Sequence, residues 1–176
     1  HSTKWCKVAF GNNLKAYYDH YRINGYAEGR VATGSTELQN PTTVYNGVDY
    51  KLVYDYNYYI NKYPDIKAAF NGDENATLRH FVECGMNEGR QGKASFNVAA
   101  YRANYADLRS AFGRNLKAYY MHYIGSGYRE GRKATGNGVL KNPVTVYNGV
   151  DYSLVYDYNY YINKYSDLKA AFYGDD

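Results

Sequence analysis

Cysteine is almost absent from this sequence, with only Cys6 and Cys84 in 176 residues. That scarcity excludes a disulfide-dense scaffold, and the lack of any Cys-x-x-Cys pair or Cys/His cluster excludes a zinc site. Both cysteines are expected as unpaired thiols. Proline occurs three times and tryptophan once. No apolar run approaches the ~18 residues that a membrane-spanning helix needs, and mean hydropathy is −0.70. Neither membrane insertion nor a signal peptide is expected. Also missing is a block of one charge: 21 Lys and Arg against 17 Asp and Glu give +4, spread along the chain, which argues against nucleic acid as the partner. The chain opens His1-Ser2-Thr3-Lys4 without an initiator Met, as a processed or excised piece of something larger would, with any export signal outside it.

Tyrosine, by contrast, is abundant: 25 residues, against six phenylalanines and one tryptophan. Much of the apolar area therefore carries a hydroxyl at its tip. Self-similarity is the other dominant signal. Residues 40–73 and 142–175 differ at only five of 34 positions, and 9–34 matches 111–136 with seven differences in 26. A weaker repeat at an offset of 42 sets Tyr59, Tyr63, Asp65, Ile66 and Phe70 against Tyr101, Tyr105, Asp107, Leu108 and Phe112. Its tail, His80-Phe81-Val82 followed by Gly85-Met86-Asn87-Glu88-Gly89-Arg90, is answered by His122 to Arg132 and by His20 to Arg30. The elementary module is thus about 40 residues, the size of a helical repeat.

Each module reads as two helices. Tyr59, Tyr63, Ile66 and Phe70 recur at i, i+4, i+7 and i+11, as do Tyr101, Tyr105, Leu108 and Phe112, which makes one apolar stripe on an amphipathic helix. Pro64, replaced by Ser166 in the later copy, predicts a bend or break in that helix. Leu78, Phe81 and Val82, matching Tyr120, Tyr123 and Ile124, mark the second helix, with Gly85 or Gly127 as the left-handed residue ending it. The Asn46-Gly47 turn between short alternating arms predicts a β-hairpin, with Thr43, Tyr45, Val48 and Tyr50 on one face, and it returns as Thr145 to Tyr152. Small polar segments at 32–36 and 134–138 read as linkers. The expected fold is mainly α, tandem helix-pair repeat modules with short inserted β-hairpins. Residues 1–52 would hold a partial first module with linker and hairpin, 53–94 a second module, 95–154 a third with linker and hairpin, and 155–176 a partial fourth.

The pattern YNGVDYxLVYDYNYYINKYPDIKAAF followed by HFxxxGMNEGRQ resembles the Tyr-rich tandem repeats of secreted cell-wall hydrolases, of lysozyme and amidase type, and of surface proteins of gut Gram-positive anaerobes. The resemblance covers nearly the whole chain after Phe10. It implies an accessory, non-catalytic module that is secreted or displayed on a bacterial cell surface, and implies little about its ligand. Residues 1–8 depart from the pattern, with Trp5 and Cys6 where the later copy has Asp107 and Leu108.

No catalytic constellation emerges. His20, His80 and His122 recur without a second ligand or nucleophile at a fixed spacing, so each is expected to make a packing or capping hydrogen bond. Asp65, Asp107 and Asp167 are expected to N-cap the helical turn after the bend. The Glu-Gly-Arg triplets at 28–30, 88–90 and 130–132 should turn the chain at Gly while Glu and Arg pair. Residues 71–75 lack a calcium loop's ordered ligand series and read as a turn. The chain is expected to be no enzyme, with no cofactor and no metal. Its surplus tyrosines, Tyr45, Tyr50, Tyr56 and Tyr58 with their repeats Tyr147, Tyr152, Tyr158 and Tyr160, are the candidate ligand-binding residues. A Tyr ring offers an apolar face to sugar C–H groups and a hydroxyl for hydrogen bonding. The expected partner is polysaccharide or peptidoglycan. The rival readings are an adhesin-like repeat that binds a host surface or immune protein, such as mucin or immunoglobulin, and a passive spacer.

Overall fold

The architecture follows from short, individually capped helices. A computed structural model describes residues 9–11, 13–34, 37–38, 40–70 and 72–172. Among them the chain is mainly helical, with two small antiparallel hairpins. In order the elements are α1 (Leu14–His20), β1 (Val44–Tyr45), β2 (Val48–Asp49), α2 (Tyr56–Lys62), α3 (Pro64–Phe70), α4 (Glu74–His80), α5 (Val98–Asn104), α6 (Ala106–Phe112), α7 (Leu116–His122), β3 (Val146–Tyr147), β4 (Val150–Asp151), α8 (Tyr158–Lys164) and α9 (Ser166–Phe172). The bounds of α1, both hairpin strands, α2 and α3 recur 102 residues later, and those of α2, α3 and α4 recur 42 residues later. Both periods in the sequence are therefore periods in the backbone.

Side-chain caps start the helices. Asp55, Asn97 and Asp157 accept hydrogen bonds from the third backbone N–H of α2, α5 and α8, and Asp73 caps α4 in the same way. Residues 72–75 thus form a capping turn, with Gly72 at φ +85°. The stripe helix is split in each of the three copies that the described residues hold whole. Tyr63, Tyr105 and Tyr165 are extended at φ −121°, −132° and −118°. Because Ala106 or Ser166 follows the break as readily as Pro64 does, proline is not its cause. At Tyr63 and Tyr105 the extended residue places its ring under an arginine: the Tyr63 hydroxyl accepts from the Gln91 N–H at 2.9 Å, and that of Tyr105 from the Lys133 N–H at 2.6 Å. Asp65 and Asp107 accordingly lie in the first turn of α3 and α6 rather than at a capping position, and α6 has no side-chain cap.

Helices α1, α4 and α7 each run on into one wide π-helical turn, Tyr21–Gly25, Phe81–Gly85 and Tyr123–Gly127. Gly85 and Gly127 stay inside that turn with helical backbone, which corrects their expected role as left-handed helix ends. They leave room for a tyrosine: a Cβ would sit 2.7 Å from the Tyr59 hydroxyl at Gly85 and 2.1 Å from that of Tyr101 at Gly127. The left-handed residues are Gly89 and Gly131, at φ +70° and +69°. Each hairpin turns on Asn and Gly at positive φ, Asn46 and Gly47 in the first, as a type I′ turn requires. Its register pairs Tyr45 with Val48, and Tyr50 donates to the Thr43 carbonyl, so the expected face points inward while Val44 points out.

A continuous aromatic spine forms the main core. Ring centroids run from Tyr54 to Phe81 (5.0 Å), on to Tyr120 (5.9 Å), Phe96 (5.0 Å) and Tyr123 (4.8 Å). Phe81 and Tyr120 belong to successive modules, so the spine is also the module junction. It is reinforced by the Tyr120 hydroxyl donating to the Arg90 carbonyl and by Lys117 donating to that of Val82. Burying rings of this size, with ~0.5–1.5 kcal/mol per favourable aromatic pair, makes the junction cohesive. Arg109, buried, donates to the carbonyls of Arg102, Ala103, Lys141 and Asn142 and ties α6 to the stretch between the second linker and β3. That linker is less idle than its composition suggests, since Ala134 is buried and its carbonyl accepts from the Asn97 N–H.

Candidate functional site

The recurring histidines and acids serve the fold. His80 Nδ1 lies 3.3 Å from the Tyr59 hydroxyl, His122 Nδ1 lies 2.9 Å from that of Tyr101, and their rings pack on Phe70 and Phe112. The His20 ring packs on Phe10. Each Glu-Gly-Arg arginine pairs within its triplet, Arg30 with Glu28, Arg90 with Glu88 and Arg132 with Glu130. Arg90 also reaches Asp65, and Arg132 reaches Asp107, each at 2.8 Å, while stacking over Tyr63 or Tyr105. The Arg90 hydrogen bond holds the Asp65 carboxyl below the usual carboxylate range. At Asp107 burial pushes upward, but the hydrogen bond and charge of Arg132 outweigh it and the carboxyl again sits low. Among the described residues no group of three or more His, Cys, Asp or Glu could hold a metal ion, and no helix is long and apolar enough to cross a membrane. Cys84 is an exposed free thiol; Cys6 lies outside the described residues.

The eight candidate tyrosines divide sharply. Tyr50, Tyr56 and Tyr158 are buried in the core, so none of them offers a ring face to a ligand. Hairpin packing takes Tyr50, and the first turn of α2 or α8 points Tyr56 or Tyr158 inward, where α5 has the buried Val98. Tyr45 is half-buried and donates to Glu83. Tyr147 and Tyr152 are exposed on the second hairpin. Tyr58 is half-buried and Tyr160 is 66% exposed, on the outer side of α2 and α8.

Around Tyr58 the structure gathers an open groove lined by Glu37, Asp55, Asn57, Asn61 and Lys62. Its floor is the helix itself: Asp55 caps the Tyr58 N–H at 2.8 Å, and Lys62 lies over the Tyr58 ring and donates to its hydroxyl. Its wall is the linker, fixed by a two-way amide clamp in which Asn57 accepts from the Leu38 N–H at 3.0 Å and donates to the Leu38 carbonyl at 2.9 Å. The second copy repeats the clamp at 3.0 and 2.9 Å between Asn159 and Leu140, and the cap between Asp157 and Tyr160. Asn57, Asn61 and Lys62 are not among the residues that composition and spacing single out, although a signal for them is present: Asp55 to Lys62 recurs unchanged as Asp157 to Lys164. Glu37 is not repeated, Val139 standing in its place. Comparison of the chain with protein-family models, with curated proteins and with solved structures finds no match.

Proposed function

We propose that this chain is a non-catalytic, extracellular attachment module that binds cell-wall or other polysaccharide through repeated tyrosine platforms, Tyr58 in one copy and Tyr160 in the other. The observation that carries this reading is a tyrosine, half-buried at Tyr58 and open at Tyr160, on a helix clamped to the preceding segment, a frame built twice in the same register, with amide, carboxylate and ammonium groups lining the groove beside Tyr58. Aromatic faces match the C–H surfaces of pyranose rings, and flanking Asn, Asp and Lys side chains match their hydroxyls. Each platform is small and open, so its affinity is weak; two on one chain raise retention on a polymer through effective concentration rather than new contacts. The resemblance to repeats of secreted cell-wall hydrolases points the same way.

The test is a pull-down on insoluble peptidoglycan, starch and mucin beside immobilised immunoglobulin, with the unaltered chain and with Tyr58→Ala/Tyr160→Ala. Retention on a glycan that the double variant loses is the expected result. Retention on immunoglobulin alone would favour protein adhesion, and no retention on any support would leave a spacer.

A further inference from the structure

The three π turns close on the same position, and the side chain there changes with the kind of junction that follows. The backbone N–H of Tyr26 bonds the Tyr21 carbonyl at 3.0 Å, that of Met86 the Phe81 carbonyl at 2.8 Å, and that of Tyr128 the Tyr123 carbonyl at 3.0 Å. Where the second module passes directly into the third, the position holds Met86, fully buried. Ahead of each linker and hairpin it holds tyrosine instead, 78% exposed at Tyr26 and 58% at Tyr128.

Neighbouring modules do not account for that exposure. A whole module, α2 to α4 with its π turn, follows Tyr26 and leaves it open; the same module precedes the one that carries Tyr128 and leaves Tyr128 open as well. Exposure is thus a property of the hairpin-linked junction. The rings are nevertheless held. Tyr26 meets Tyr21 and Tyr128 meets Tyr123 edge to face, at interplanar angles of 83° and 82°, and the backbone at both is helical. Among the described residues neither hydroxyl has a hydrogen-bond partner. Two residues along, an exposed glutamate, Glu28 or Glu130, holds its arginine through Oε2.

An open aromatic face on a fixed mount, with a carboxylate and a guanidinium in the same turn, matches a pyranose, which has an apolar C–H face and a rim of hydroxyls. Around Tyr128 the turn also presents Gly125, Ser126 and Arg129, which add little of the apolar area that the core of a protein interface buries. We infer that Tyr26 and Tyr128 are a second pair of sugar-stacking sites, each taking one pyranose unit of the polysaccharide proposed above. The inference rests on that polysaccharide reading but not on Tyr58 or Tyr160. A ring already held edge-on has little rotamer freedom to lose on binding, and four weak sites on one chain hold a polymer better than two.

The test measures depletion of the 176-residue chain on insoluble peptidoglycan, starch and mucin. It compares the unaltered protein with Tyr26→Ala/Tyr128→Ala, Tyr26→Phe/Tyr128→Phe and Tyr58→Ala/Tyr160→Ala, each verified as folded by circular dichroism. On a support that retains the unaltered chain, the alanine pair at 26 and 128 should weaken retention about fivefold or more. The phenylalanine pair should keep most of it, because the ring face remains. Unchanged retention by the alanine pair would overturn the inference and leave the Tyr58 and Tyr160 assignment in place. Equal loss in the phenylalanine pair would also overturn it, since stacking needs only the ring. Loss at 26 and 128 without loss at 58 and 160 would support it and overturn the earlier assignment. An unaltered chain that none of the three supports retains would overturn both.

Discussion

Replacing Gly127 by alanine should destabilise the third module, although the same exchange within a helix ordinarily stabilises by ~0.5–1 kcal/mol. An added Cβ would stand 2.1 Å from the Tyr101 hydroxyl and 3.2 Å from the ring carbon that bears it. Tyr101 is fully buried between Phe96, Tyr105 and Tyr123, so its ring has no free direction in which to retreat. The hydroxyl must move by more than an ångström, which breaks its 2.9 Å hydrogen bond to His122 Nδ1. Stranding a buried hydroxyl costs ~1–3 kcal/mol, and displacing packed rings adds strain of similar size. Set against the propensity gain, the net loss is about 3 kcal/mol, or roughly 6–12 °C in the unfolding midpoint of a domain this size. Gly125, in the same turn with nothing near its would-be Cβ, is the control: Gly125→Ala should be neutral or slightly stabilising. Thermal and urea unfolding followed by near-ultraviolet circular dichroism reads both. Tyr101→Phe in the Gly127→Ala background should recover part of the loss, giving a coupling of opposite sign to simple additivity. A stabilised Gly127→Ala chain would refute the claim that the glycine exists to admit the tyrosine.

Asn97→Ala removes the cap on the Ala100 N–H and should cost about 1 kcal/mol in urea unfolding, while Asn97→Asp should cost almost nothing. The Tyr54 hydroxyl is buried without a partner, so Tyr54→Phe should leave the unfolding midpoint unchanged or raise it slightly. Asp65 and Asp107 titrate below their ordinary value of 3.8 in the folded chain. Their stabilisation is therefore complete above that pH and is lost as pH falls through the lower folded value. Melting temperature should fall as pH is lowered past 3.8, and Asp107→Asn should flatten the fall; an unchanged slope would remove Asp107 from the acid response.

Residues whose role is periodic are legible in the sequence alone. The i, i+4, i+7 spacing of Tyr59, Tyr63 and Ile66 locates the core stripe, and Asn46-Gly47 locates the hairpin, because both signals act within a few residues. The break at Tyr63, Tyr105 and Tyr165 is only half legible: proline marks one copy alone, and the arginine and backbone N–H that hold Tyr63 and Tyr105 in place lie about 28 residues later, invisible to local propensity. Likewise Tyr56 and Tyr158 carry the same side chain as Tyr58 and Tyr160, and only the direction of the first helical turn sends one set inward and the other out, while hairpin packing buries Tyr50. The Asn57 clamp needs a linker 19 residues earlier. No local pattern joins those two points, but the unchanged recurrence of Asp55 to Lys62 does mark the segment.

The most direct measurement is a depletion isotherm on the polysaccharide that retains the chain, comparing the unaltered protein with Tyr58→Ala, Tyr160→Ala and the double variant, each verified as folded. Each single substitution should weaken retention, the Tyr160 change the more because its ring is the more open, and the double substitution should abolish it. Equal retention by all four proteins would contradict the assignment of the platforms to Tyr58 and Tyr160.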